Sequence, residues 1–172
     1  MLRVLDRPVS SNLSVSCDWR DYKALRLRAL QESPDAYGST YEEESLRPDG
    51  QWKARLEKAA KSGKDFPILA ARGGKPVGLT WAQIDPAESG KVSLYQVWVA
   101  PEARGAGVAA RLLDAAKAWA QDQGATMLFL GVTCGDTPAV RLYRRAGFVP
   151  VGQAVPLREG SALLSQDMQL VL

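Results

Sequence analysis

The chain has 172 residues, 46% hydrophobic and 24% charged, with 22 basic against 19 acidic side chains and a formal charge of +3. At roughly 150 residues per domain this reads as a single domain over residues 1–172, long enough to bury a core without disulfide staples. Two cysteines, Cys17 and Cys134, exclude a disulfide scaffold; the absence of histidine excludes His-liganded metal sites, Ser-His and Cys-His nucleophile pairs and a histidine general base.

The N-terminal MLRVLDRPVS lacks the hydrophobic region of a secretory signal, and no apolar run reaches the roughly 18–20 residues of a membrane span. The expectation is a cytoplasmic protein with reduced thiols and no membrane partner. Leu2 to Leu5 reads as a short strand, Pro8 to Asn12 as a turn, and Leu13, Val15 and Cys17 as a second strand alternating with serines. Asp18 is placed to cap a helix whose apolar stripe is Trp19, Tyr22, Leu25, Ala29 and Leu30, ending before Pro34. A loop with three successive acids, Glu42, Glu43 and Glu44, precedes a helix from about Asp49 to Ala60, stopped by Ser62-Gly63.

FPILAAR, the turn Gly73-Gly74-Lys75 and PVGLTWAQI spell a β-hairpin. The strand Lys91–Val99 follows, with Val92, Leu94, Gln96 and Trp98 expected on one face and Ser93, Tyr95, Val97 and Val99 on the other. A Gly-containing turn then feeds a long helix with Val108, Leu112, Ala115 and Trp119 at helical spacing, closed by Gly124. MLFLGVT reads as a strand buried on both faces. DTPAVRLYRRAG reads as a short capped helix ending at Gly147, and two strands, near Phe148 to Val155 and Leu163 to Leu172, close the chain. An antiparallel meander followed by β-α-β and α-β-β predicts an α+β fold around a mixed sheet.

The turn at residues 104–109 carries readable chemistry. Small residues let the backbone approach a ligand, and the free N–H groups of a helix N-terminus, with the helix dipole, favour a phosphate or pyrophosphate. Arg104 adds a cation. The turn lacks the Gly-Lys-Ser/Thr ending of a nucleotide P-loop and the three spaced glycines of a dinucleotide fingerprint. On this turn alone, a phosphate site and a structural Gly-rich turn stand equal. The mild net charge suits a small polyanion; duplex nucleic acid calls for a clustered basic stripe, which is missing.

Two motifs in order then carry a resemblance. Val99-Ala100-Pro101 precedes Arg104, Gly107 and Ala109, and Asp136-Thr137-Pro138-Ala139-Val140-Arg141-Leu142-Tyr143-Arg144-Arg145-Ala146-Gly147-Phe148 follows. With the stretch LRLRALQESPDAYGSTYEEE, these resemble the GNAT superfamily of acyl-CoA-dependent N-acyltransferases over residues 25 to 148. The resemblance implies a mostly antiparallel mixed sheet of about six to seven strands with about four flanking helices. In that fold a splayed parallel pair forms the CoA cleft.

The resemblance further implies acetyl-CoA as co-substrate, a primary amine as acceptor and no metal. Pantetheine is expected along Val97, Trp98 and Val99, and the pyrophosphate on the backbone of Arg104, Gly105, Ala106, Gly107, Val108 and Ala109. Asp136, Ala139, Tyr143 and Arg145 complete the cofactor-binding set. Tyr143 matches the family's general acid, since a phenol can protonate a departing thiolate. Asp136 replaces the usual Asn; it can cap the following helix but cannot donate as an amide does. The candidate bases are Glu43 and Glu44, or a water chain held by backbone and polar groups, and the Glu42–Glu44 cluster leans toward a cationic acceptor. Trp81, Tyr95 and Trp98 are candidate walls of the acceptor pocket. Direct attack is preferred to an acyl-cysteine route, with Cys134 as a small buried side chain. A CoA-binding regulatory domain stays open as the alternative function, and dimers are frequent in families that resemble this chain.

Overall fold

The computed structural model describes residues 13–15, 18–88 and 90–172. Along these the chain runs β1 (Leu13–Val15), α1 (Trp19–Glu32), α2 (Tyr41–Ser45), α3 (Asp49–Ser62), β2 (Asp65–Arg72), β3 (Lys75–Ile84), β4 (Lys91–Val99), α4 (Val108–Asp122), β5 (Met127–Thr133), α5 (Pro138–Arg145), β6 (Val149–Pro156) and β7 (Leu164–Val171), with 3₁₀ turns at Pro34–Ala36 and Pro101–Ala103. The expected strand Leu2–Leu5, the turn Pro8–Asn12 and Cys17 lie outside the described residues.

Local signals explain most boundaries. The Asp18 carboxylate accepts from the Arg20 amide and starts α1. Gly63, at φ 63°, ends α3 in the left-handed conformation that glycine tolerates best. Gly73 and Gly74, at φ 57° and 75°, supply the two positive φ angles a tight hairpin turn requires between β2 and β3. The acidic stretch expected as a loop contains α2, because Thr40 and Glu43 cap each other reciprocally at its start.

The strands form one seven-stranded sheet in the order β1-β2-β3-β4-β5-β7-β6, antiparallel except for β4 against β5. Helices α1 and α3 pack on one face and α4 on the other. A Cβ on Gly78 of β3 would lie 3.2 Å from the Leu112 and Val108 side chains of α4, so glycine is what lets that helix lie this close. Buried Val108, Leu112, Leu113, Ala116 and Ala120 form its core face. Ala115 and Trp119 sit at the margin, where Trp119 stacks on Phe66 with ring centroids 5.3 Å apart.

Two expectations about the central strands are corrected. The strict alternation of β4 fails at a bulge: Leu79 pairs with Trp98 but Trp81 with Tyr95, so Gln96 and Val97 of β4 stand opposite the single residue Thr80 of β3. Gln96 takes φ 61°, and the Thr80 hydroxyl donates to the Tyr95 carbonyl at 3.1 Å across the irregularity. The extra residue moves Trp98 to the face opposite Val92 and Leu94. Strand β5 is not buried on both faces. Leu128, Leu130 and Val132 are buried, whereas Gly131 is exposed, because α1 and α3 cover β2 to β4 and leave that face of β5 half open.

Strands β4 and β5 pair only from Lys91↔Met127 to Leu94↔Leu130. Beyond that point β4 stays with β3 and β5 stays with β7. The sheet therefore divides at its centre, next to the bulge.

Candidate functional site

The division opens a cleft of about 1590 Å³. A pocket for one small ligand is roughly 300–1,000 Å³, so two reactants fit side by side. Its walls come from the bulged half of β4, the turn before α4, the start of α5, and the 3₁₀ turn after α1.

The turn before α4 presents backbone amides. Gly105 and Gly107 both sit at φ 75°, and nothing lies within 4 Å of where a Cβ would project from either. No N–H from Gly105 to Ala110 donates to another described residue, and α4 has no side-chain cap. Uncapped amides at the positive end of a helix dipole, open to close approach, suit a pyrophosphate. Gly105, Gly107, Val108 and Ala109 line the cleft; Ala106 is exposed and does not.

The Arg104 side chain is not the free cation expected at this mouth. Its Nε donates to the Val99 carbonyl at 3.0 Å and its Nη2 to Glu32 at 2.7 Å. The Glu32 carboxylate also accepts from the Ser33 hydroxyl and, at 3.0 Å, from the Trp98 indole. The Arg104 and Ser33 bonds pull its carboxyl down to about 2. Arg104 thus ties the turn to the end of α1 and to β4. The carbonyl of Val97 accepts a long 3.4 Å bond from the Tyr37 hydroxyl.

Tyr143 is buried, packs edge-on against Phe148 and lines the cleft. Its hydroxyl makes no hydrogen bond to another described residue, and burial pushes its ionisation well above the ordinary range. It holds its proton at neutral pH, as an acid must. Ala139 and Arg145 of the same helix also face the cleft. Asp136 does not. The cap of α5 is Thr137, which accepts from the Val140 amide at 3.2 Å, while the exposed Asp136 pairs with Arg141 at 2.8 Å. Pro138 at the first helical position sets the cap one residue later than Asp136.

The acidic candidates are spent on structure. Glu43 lies outside the cleft, its carboxylate accepting from the Thr40 amide at 3.0 Å. Glu44 is 2% exposed and holds Arg26 through contacts of 2.7 to 3.3 Å, with Arg47 at 3.4 Å. Burial alone would raise the Glu44 carboxyl; the hydrogen bonds and charge of Arg26 outweigh it and hold it low. Glu42, like Glu43, does not line the cleft, and Glu44 is held by Arg26 and Arg47, so the lean toward a cationic acceptor loses its basis. Cys134 is exposed rather than buried, since it lies past the end of β5 with its amide bonded to the Leu164 carbonyl at 2.8 Å.

Trp81, Tyr95 and Trp98 line the cleft as expected, and Gln96 joins them. Four residues that the sequence reading did not place in the site also matter: Tyr22, Arg26, Glu32 and Tyr37. Arg26 carried a signal, because it occupies a stripe position between Tyr22 and Leu30 where an apolar residue belongs. Glu32 and Tyr37 carried none.

Among the described residues no helix is long and apolar enough to cross a membrane. A profile of the acetyltransferase (GNAT) family matches residues 26–148. The mycothiol acetyltransferase of Pseudarthrobacter chlorophenolicus is 34% identical over 113 residues, covering 62% of this chain and 35% of that protein. The chain thus spans about a third of that relative's length. Ribosomal-protein-alanine N-acetyltransferase from Brucella melitensis superposes with a TM-score of 0.74 at 23% identity, over 92% of this chain and 99% of that one. A protein from Salmonella typhimurium, solved with acetyl-CoA as its cofactor, gives a TM-score of 0.76 at 18% identity, over 94% of this chain and 95% of that one. The two structural likenesses concern the fold.

Proposed function

This chain belongs to the acetyltransferase (GNAT) family, and on that footing we propose that it is an N-acetyltransferase moving an acetyl group from acetyl-CoA to a primary amine. One observation carries the reading. Where β4 parts from β5, beyond Leu94 and Leu130, residues 105 and 107–110, with their free amides, and Tyr143 bound the same cleft.

The amides from Gly105 to Ala110 receive the pyrophosphate, with Arg145 as the cation on that wall. Val97, Trp98 and Val99 lie along the pantetheine arm, whose amides take up backbone groups that β5 no longer pairs. The thioester then lies over the gap, near the bulge. The acceptor attacks as the free amine within a ternary complex. The carbon–nitrogen bond forms as the carbon–sulfur bond breaks, and Tyr143 gives its proton to the departing thiolate. The proton of the attacking amine passes to water in the open cleft, since Glu43 and Glu44 are engaged elsewhere, and water returns a proton to the Tyr143 phenolate, which closes the cycle. Arg104 and Glu32 hold the turn in place and touch neither reactant, and Asp136 has no part.

The test is release of CoA thiol with a panel of primary amines, for the native protein and Tyr143→Phe. The substitution is expected to lower turnover by about 100-fold or more and leave acetyl-CoA affinity within about twofold. Unchanged turnover removes Tyr143 from its role. Acetyl-CoA binding without release for any amine makes the chain a CoA-binding regulator instead.

A further inference from the structure

Arg26 is a cation buried in the cleft wall with one nitrogen left without a partner. Its side chain is 3% exposed. Its Nε and Nη2 are spent on Glu44, whereas Nη1 is buried without a hydrogen-bond partner, the only such side-chain atom among the described residues. The Tyr37 ring lies against the guanidinium, 4.7 Å from centroid to carbon, and supports the charge without offering it an oxygen. A buried donor with nothing to meet is costly, and native proteins keep few of them. Arg26 lines the cleft, so a ligand can supply what the protein does not.

The surroundings say what kind of ligand. Arg47, Arg55 and Lys58 line the same cleft. Two carboxylates stand among them: Glu44, which is shared by Arg26 and Arg47, and Asp65, which accepts from the Trp81 indole at 2.9 Å and the Gln83 amide at 2.8 Å. Over the whole cleft, with Arg104, Arg141 and Arg145 against Glu32, Asp35 and Asp167, seven cations face five carboxylates. Arg55 stacks on Trp81 at 4.6 Å and makes no ion pair with a described carboxylate. Gln96 spends its carbonyl on the Tyr22 hydroxyl at 2.7 Å and keeps its two amide hydrogens. The wall is rich in donors and positive.

Tyr37 joins Arg26 to the strand along which pantetheine is placed: its ring lies 4.7 Å from the Arg26 guanidinium and its hydroxyl donates to the Val97 carbonyl at 3.4 Å. Arg26, Tyr37, Val97 and Tyr143 line one cleft, so one small molecule can present a group to Arg26 and an amine to the thioester.

Resting on the transferase reading above, we infer that the acceptor is a primary amine that also carries a carboxylate, of the α-amino acid type, with the carboxylate held by Arg26 Nη1 and drawn in by Arg55. A carboxylate supplies the acceptor that buried Nη1 lacks, with a small shift of the wall to admit it, and offsets the surplus charge. A polycationic acceptor does neither.

The experiment measures CoA release with α-amino acids, each beside its α-carboxamide and its decarboxylated amine. The carboxamide has the larger free-amine fraction at neutral pH, so a preference for the acid cannot come from proton content. The acids are expected to exceed both partners at least tenfold in kcat/KM. Arg26→Gln leaves Glu44 short of a partner and can fail to fold, so Arg55→Gln, at the cleft wall, carries the same question. It should shrink the preference at least threefold while acetyl-CoA affinity stays the same. Equal or better rates with carboxamides or polyamines overturn the inference and leave the transferase reading intact, as does a preference that Arg55→Gln does not change. Acetyl-CoA binding with no CoA release from any amine ends the transferase reading, and this inference with it.

Discussion

The Tyr22 hydroxyl donates a 2.7 Å hydrogen bond to the side-chain oxygen of Gln96, the one non-glycine among the described residues with a positive φ. A residue held there costs on the order of 1–3 kcal/mol and persists only where its surroundings hold it. Tyr22 supplies part of that hold. Burial pushes its phenol up, against the pull of Arg55 and Gln96, so it stays a donor. Helix α1 thereby fixes the point at which β4 turns away from β5.

Tyr22→Phe removes that hold without changing the packing volume. The expected loss is about 1 kcal/mol of stability, for one buried hydrogen bond. Turnover should fall further than stability, by about tenfold, because a relaxed bulge moves the cleft wall against which the thioester lies. Thermal unfolding beside steady-state CoA release measures both. A turnover equal to that of the native protein contradicts the role given to the bulge.

Much of the fold was legible because it rests on local rules. The Gly73-Gly74 turn, the Asp18 cap and the apolar stripe of α1 each act within a few residues, and the two motifs placed the turn at 104–109 and Tyr143 in order. The bulge was not legible. It arises from how β4 pairs with β3, and one extra residue there sends Trp98 to the opposite face. Asp136 and Thr137 are both capable caps, and only Pro138 behind them decides for Thr137. Glu44 read as a candidate base because its partner Arg26 lies on another helix, and no spacing rule joins the two.

The Arg26–Glu44 pair makes a stability prediction. Glu44→Gln leaves Arg26 buried with its charge unanswered and should cost about 3 kcal/mol or more. Replacing both together, Arg26→Met with Glu44→Leu, should cost less than either change alone, because no charge is then stranded. Urea unfolding of the four proteins gives the coupling. Simple additivity contradicts the pairing.

Glu32 makes a pH prediction. Its carboxyl is held at about 2, chiefly by Arg104 and Ser33, against an ordinary value of 4.5. A depressed folded value means the stabilisation is fully present above the ordinary value and is lost as pH falls toward the folded one. Glu32→Gln should therefore be less stable than the native protein at neutral pH, by about 1 kcal/mol since the side chain is a third exposed and screened by water. The gap should close between about pH 5 and pH 2. A gap that stays constant or widens in acid contradicts the Arg104–Glu32 tie.

The parting of β4 from β5, with the open amides of residues 105–110, is where we propose that acetyl-CoA binds, and calorimetric titration of the protein with acetyl-CoA measures this without an acceptor. Saturable binding of one acetyl-CoA per chain is expected, with CoA competing for the same site. No binding at millimolar acetyl-CoA would contradict the proposal.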